Sequence, residues 1–391
     1  MLKPLYLAPS NAVTTTFRCR NLRVKMSSDA TPPPESRVVV GFGMTTVDFL
    51  ATVDAYPKPD DKVRTTSFKI QGGGNAGNAL TCAARLGLKP KLISKVSGDA
   101  QGRGILKELE ADGVDTSFFV VSKDGSSTFS YVLVDNQTKT RTCIYTPGEP
   151  PLMPTDLSQS ILLSAFNEAR LVYFDGTSTE TALFVAHEAA RNNIPILVGA
   201  ESVRGGLDEL LGLADYAVCS ARFPQAWTQA PSIPSALVSM LLRLPNIKFV
   251  IVTLGEDGCI MLERSITEGT DIEERDVDNV IESLYKERDD DLIIPTCISS
   301  TVTKLKADGI GTVCGRLFVG TAEKIPACEL TDTTGAGDAF SGAVLYAICA
   351  NMLPEKMLPF ASQVAAANCR ALGARSGLPH RTDPRLASFL G

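Results

Sequence analysis

Thr331-Asp332-Thr333-Thr334-Gly335-Ala336-Gly337-Asp338-Ala339 sets two glycines and a carboxylate directly ahead of an apolar run, Ala339-Phe340-Ser341-Gly342-Ala343-Val344-Leu345-Tyr346. The run reads as a buried helix, so the glycines fall at its N-terminus, where bare N–H groups and aligned peptide dipoles favour an anion. Asp338 in the first turn could take a proton from a hydroxyl while the Gly335-Ala336-Gly337 amides stabilise charge on a transferring phosphoryl group. The same residues would also make a plain loop-to-helix junction, with Asp338 as a capping acid and the glycines present for turn geometry.

A second glycine-rich stretch, Gly72-Gly73-Gly74-Asn75-Ala76-Gly77-Asn78-Ala79-Leu80, runs into the small-residue segment Thr81-Cys82-Ala83-Ala84-Arg85. Glycines after a strand let a ligand approach the backbone, and two carboxamides offer donors and acceptors to vicinal hydroxyls, which suits a polyol. A glycine hinge with Asn75 as a helix cap is the alternative.

Together the two stretches resemble the C- and N-terminal signatures of the ribokinase-like (pfkB) family of carbohydrate kinases. The Gly-Gly-Asn-Ala-x-Asn form is closest to ketohexokinase- and fructokinase-like members. The resemblance covers roughly residues 37 to 385, and it is specific in the two signatures and weaker between them. It implies an α/β fold: a three-layer sandwich with a parallel central sheet and a small β-sheet lid. It also implies ATP-dependent phosphorylation of a primary hydroxyl of a small sugar, with Mg2+ accompanying ATP and, in some members, a K+ ion beside an acid matching Asp332.

The resemblance carries over residue by residue. Asp338 would be the base and Gly335, Ala336 and Gly337 the anion hole. Asp48, five residues past Gly43, would anchor sugar hydroxyls with Gly73, Gly74, Asn75 and Asn78. Arg141 would reach the transferring phosphate, or else stay a solvated edge-strand charge. Thr253, Gly255 and Gly258, in Thr253-Leu254-Gly255-Glu256-Asp257-Gly258, would lie beside the nucleotide with Asn368. Apart from the resemblance, Glu201 falls at the carboxyl end of a strand, where it could touch the Mg-nucleotide through water or be a structural carboxylate. Many members carry an Asn-x-x-Glu motif that organises magnesium; this chain has Cys219-Ser220-Ala221-Arg222-Phe223 instead, so the metal ligands stay unassigned. A nucleoside kinase of the same family and a non-catalytic plastid scaffold with the kinase fold are the rival readings. Family lids often pack against a second subunit's lid, which implies a homodimer.

The elements that must position these residues are legible as alternation. Arg37-Val38-Val39-Val40-Gly41-Phe42-Gly43 reads as a buried strand. Stretches at about 51–72 and 127–146 read as extended, the second a hairpin around Asp135 to Thr140, and the resemblance implies that they form the lid. From Leu171 on, apolar runs alternate with amphipathic stretches, as βαβ units with a parallel sheet require.

The chain has 391 residues, 44% hydrophobic and 21% charged, enough for one large core from 37 to 391. A net charge of −6 argues against a nucleic-acid surface, and no run approaches the 18 apolar residues that a membrane helix needs. Ten cysteines without a CxxC pair, with only His187 and His380, make a zinc site unexpected and suit a reducing compartment. Residues 1–25 hold Lys3, Arg18, Arg20, Arg23 and Lys25 and no acid, the composition of an organelle transit peptide; plastid is expected, or cytosol from a start at Met26. Residues 26–36, with Pro32-Pro33-Pro34, read as a stiff linker. Between Glu263 and Asp291 stand twelve acids and four bases, and 263–312 reads as an inserted, solvated and partly mobile loop.

Overall fold

The computed structural model describes residues 37–265, 273–289 and 291–390; the transit peptide and linker expected at 1–36 lie outside them. β1 (Val38–Phe42) is followed by β2 (Thr46–Val53), β3 (Ser67–Gly73), α1 (Asn75–Arg85), β4 (Lys89–Ser97), α2 (Ala100–Ala111) and β5 (Phe119–Ser122). The hairpin β6 (Phe129–Asp135) and β7 (Arg141–Thr146) leads to α3 (Gln159–Phe166), β8 (Leu171–Phe174), α4 (Thr179–Arg191), β9 (Ile196–Ala200), α5 (Leu207–Gly212) and β10 (Tyr216–Ser220). Then come α6 (Phe223–Thr228), α7 (Ile233–Arg243), β11 (Phe249–Thr253), β12 (Cys259–Arg264), β13 (Glu274–Asp276), α8 (Val277–Lys286), β14 (Cys297–Ser299), β15 (Thr303–Ala307) and β16 (Gly311–Gly320). The chain closes with α9 (Ala336–Cys349), α10 (Pro354–Asn368) and the short α11 (Ala387–Leu390).

The large sheet has the order β13-β15-β16-β12-β11-β10-β9-β8-β1-β4-β5, with β14 also on β16. From β11 to β5 every neighbour is parallel, whereas β12, β14, β15 and β16 join by antiparallel pairing. Successive strand residues face opposite sides. Val40, Val172, Val198 and Val250 therefore enter one core with α4, α5, α7 and α8, while Val39, Leu171, Leu197 and Ile251 enter the other with α1, α9 and α10. This is the expected three-layer sandwich.

The lid is a separate sheet, β3-β2-β6-β7. Its inner face carries Asp48, Ser130 and Tyr145 in cross-strand register; its outer face carries Ile70, Phe49, Tyr131 and Ile144 in another row.

The acidic insertion does not fold as a loop. Its described part forms β13, paired to β15, and α8, which buries Val277, Val280, Ile281 and Leu284 in the first core. Those positions recur at i, i+3, i+4 and i+7, the stripe of an amphipathic helix, and the acids occupy its outer side. No helix among the described residues is long and apolar enough to cross a membrane.

Candidate active site

A cleft of about 630 Å³ opens between the carboxyl ends of the parallel strands and the inner face of the lid, where ligands of such sheets gather. Asp48, Gly74, Asn75, Asn78, Arg141, Glu201, Thr253, Gly335, Gly337 and Asp338 all line it, so residues from both signatures and from the lid meet in one place.

The turn before α9 is locked from behind. Buried Asp332 accepts hydrogen bonds from the Thr334 N–H at 2.9 Å and hydroxyl at 2.7 Å through Oδ1, and from the Gly373 N–H at 2.8 Å through Oδ2. Gly335 caps α9 at φ 73°, and a Cβ there would lie 2.5 Å from that of Ala374, so only glycine fits. A Cβ at Gly337 would meet nothing within 4 Å, so its exposed backbone faces open cleft. The Ala336 N–H donates to the Thr333 carbonyl at 3.3 Å, whereas the amides of Gly337 and Asp338 have no carbonyl within the helix to bond and form the anion cradle. Asp332 thus ties its own turn to the loop at Gly373.

Asp338 accepts from Asn78 Nδ2 at 2.8 Å through Oδ2 and caps no backbone group, which sets aside the capping reading. Burial, then the charge of Glu201, raises its carboxyl to about 8, against the pull of Asn78 and Arg141. A carboxyl held so far above the ordinary range is a stronger base that still ionises near neutrality.

Two packing features bring α1 and α9 together. A Cβ at Gly342 would lie 2.5 Å from the Ala79 carbonyl oxygen and 2.6 Å from Cys82 Cβ, and Cys82 Sγ donates to the Ala339 carbonyl. The helices can touch only because residue 342 has no side chain.

On the sugar side, Asp48 lies within β2 rather than in the loop after β1. It is 6% exposed, takes the Thr46 hydroxyl at 2.7 Å, and burial raises its carboxyl. A Cβ at Gly73 would stand 2.1 Å from Asp48 Oδ2, so this glycine makes room for a carboxylate and its carbonyl is turned away from the cleft, onto Arg375. Asn75 does not cap α1, whose N-cap is Gly74; it is half-buried in the first turn and faces the cleft. Asn78 differs from expectation. Its Oδ1 is taken by Arg375 Nε at 2.9 Å and its Nδ2 by Asp338, so it organises the site more than it reads a hydroxyl pair.

The residues expected on the nucleotide side are placed differently from one another. Thr253 lines the cleft, but Gly255 and Gly258 do not; a Cβ at Gly258 would stand 2.0 Å from the Gly320 carbonyl oxygen, so that glycine serves the approach of the neighbouring strand end. Asn368 is fully buried and donates to the Thr334 carbonyl at 2.9 Å, supporting the anion turn from behind instead of reaching the cleft. Among the described residues no group of three or more His, Cys, Asp or Glu is arranged to hold a metal. Glu201 stands at the β9 end and lines the cleft.

The sequence reading missed two residues. Asp175, just after β8, accepts from the Met44 N–H, the Ala76 N–H and Thr177, tying three loops below the cleft; its place after a buried strand was the available signal. Arg375 carried none, since its contacts lie about 300 residues away.

The sequence profile of the pfkB family carbohydrate kinases matches residues 36–280 and 302–381. The chain belongs to this family. It is a carbohydrate kinase of the pfkB type, and the interruption in the match falls on the second half of α8 and on β14. Ribokinase of Mus musculus is 24% identical over 361 residues, covering 91% of this chain and 96% of that protein. Ketohexokinase of the same organism is 20% identical over 348 residues, covering 87% of this chain and 98% of that protein. The expected leaning toward ketohexokinase is thus not favoured over ribokinase. The structure of Arabidopsis thaliana ribokinase, complexed with ribose and ATP, superposes with a TM-score of 0.63 at 19% identity, covering 92% of this chain and 99% of that one, which shows the shared fold.

Proposed function

We propose that this kinase transfers the γ-phosphoryl group of ATP to a primary hydroxyl of a small sugar, a ketose such as fructose or a related sugar or polyol. The observation that carries the reading is Asp338, whose carboxylate opens the anion-cradling helix and lines the same cleft as Asp48 and Asn75. Asp338 would accept the hydroxyl proton, the Gly335 to Gly337 amides and Arg141 would take up charge on the moving phosphoryl group, and Mg2+ carried by ATP would neutralise the phosphates. Ribose is the second reading, supported by the ribokinase relatives.

A coupled ADP-release assay over ketoses, aldoses, polyols and nucleosides tests this. Turnover of a sugar that falls about 10²–10⁴-fold in Asp338→Asn is the expected result; turnover of nucleosides alone would overturn the sugar assignment.

We further infer a homodimer through the lid. Its outer row leaves Ile70, Tyr131 and Ile144 each more than half exposed, an apolar, self-complementary sheet face that a second copy would cover. Tyr131→Lys should convert a dimer to a monomer in light scattering, and a wild-type monomer would refute the idea. The basic, acid-free residues 1–25 support plastid import, which a fluorescent fusion of that segment would test; a cytosolic signal would sink it.

A further inference from the structure

Arg375 is 3% exposed and carries a charge into the interior beside the end of β3 and the start of α1. Its hydrogen bonds go to no acid: Nε donates to Asn78 Oδ1 at 2.9 Å and Nη2 to the Gly73 carbonyl at 2.7 Å. Glu108 and Asp48 lie near enough to offset part of its charge, yet burying a cation still costs several kcal/mol and well-packed apolar side chains often serve stability as well, so its forked hydrogen bonds call for another account.

Room for the guanidinium is made by the glycine-rich signature itself. A Cβ at Gly72 would lie 2.5 Å from Nη1 and one at Gly77 would lie 2.4 Å from Nη2. These two glycines therefore admit an arginine from the C-terminal loop, where the sequence suggested only the approach of a ligand.

An asparagine amide can bind either way round, but here both neighbours dictate one way. A guanidinium can only donate, so it holds Oδ1; the Asp338 carboxylate can only accept, so it takes Nδ2. With Oδ2 of Asp338 engaged, Oδ1 is the oxygen left for a substrate.

We propose that Arg375 is a positioning residue for phosphoryl transfer: it fixes the Asn78 amide, which in turn aims Asp338 at the acceptor hydroxyl. The proposal rests on Asp338 being the base. The other groups that face Asp338 are Glu201 beyond β9, Tyr173 and Asp175 on and after β8, Arg141 on the lid and Cys82 on α1. None of them makes the contact with Asn78 that Arg375 makes.

The test is steady-state kinetics across pH on Arg375→Lys, Gly77→Ala and Asp338→Asn, with D-ribose or D-fructose, whichever turns over. Lysine keeps the charge but not the fork, and kcat should fall about 100-fold, the cost of a misplaced reacting group, with KM for MgATP unchanged. The acid limb of the profile should move to higher pH as the donor on Asp338 loosens. Gly77→Ala removes no hydrogen-bonding group and favours its helix, yet displaces the guanidinium, so it should give the same loss and shift even where the lysine variant fails to fold. Folded Gly77→Ala protein with wild-type kcat and an unmoved limb would overturn the proposal. Full turnover in Asp338→Asn would instead overturn the base assignment.

Discussion

A carboxylate is a poor base at its ordinary pKa of about 4, and the site corrects this with surroundings more than with contacts. Asp338 is raised to about 8 by burial and by Glu201, while Asn78 and Arg141 pull the other way. The sign follows directly: the base works only when ionised, so kcat/KM for the sugar should rise with pH and level off only near about 8. A plateau already reached near pH 5 would remove Asp338 from the role. Glu201→Gln, by deleting the repelling charge, should shift the rising limb toward acid; a titration of rate against pH for the two proteins reads this directly.

At the scale of elements, the base meets its partner because two helices touch. Gly342 is the contact point, and Gly342→Ala would set a methyl carbon 2.5 Å from the Ala79 carbonyl oxygen. Forcing extra volume into such a packed contact costs about 1–3 kcal/mol. The variant should therefore lower the urea midpoint and, by parting Asn78 from Asp338, lower kcat in the protein that remains folded. An unchanged kcat would show that the helices slide without disturbing the pair. Nothing in the sequence marked Gly342, because a glycine inside an apolar helix looks the same whether or not a neighbour presses on it. The turn at 335–337 and the hairpin at 129–146 were legible for the opposite reason: their chemistry is local, written in adjacent residues. Asn78 and Arg375 were misread or missed because their partners are distant in the chain, and a side chain's donors are assigned only when the fold brings acceptors to them.

At the scale of the molecule, the sheet grows beyond its parallel half by antiparallel strands, and the acidic insertion extends it at that edge through β13 and β15. Counting charges concealed this, since twelve acids in the segment suggested solvation while four apolar residues one helical stripe apart were enough to bury α8. The insertion is then part of the core, and its removal should be felt as core loss. Ile281, 4% exposed among the residues of the first core, gives the cleanest reading. Ile281→Ala should cost about 2–5 kcal/mol, from the lost transfer of its side chain and the cavity left behind. Because α8 packs on α7, β13, β15 and β16 and not on the helices that carry Asn78 and Asp338, kcat per folded molecule should hold. Urea unfolding followed beside the kinase assay separates the two quantities, and an unmoved midpoint would return the segment to the status of an appended loop.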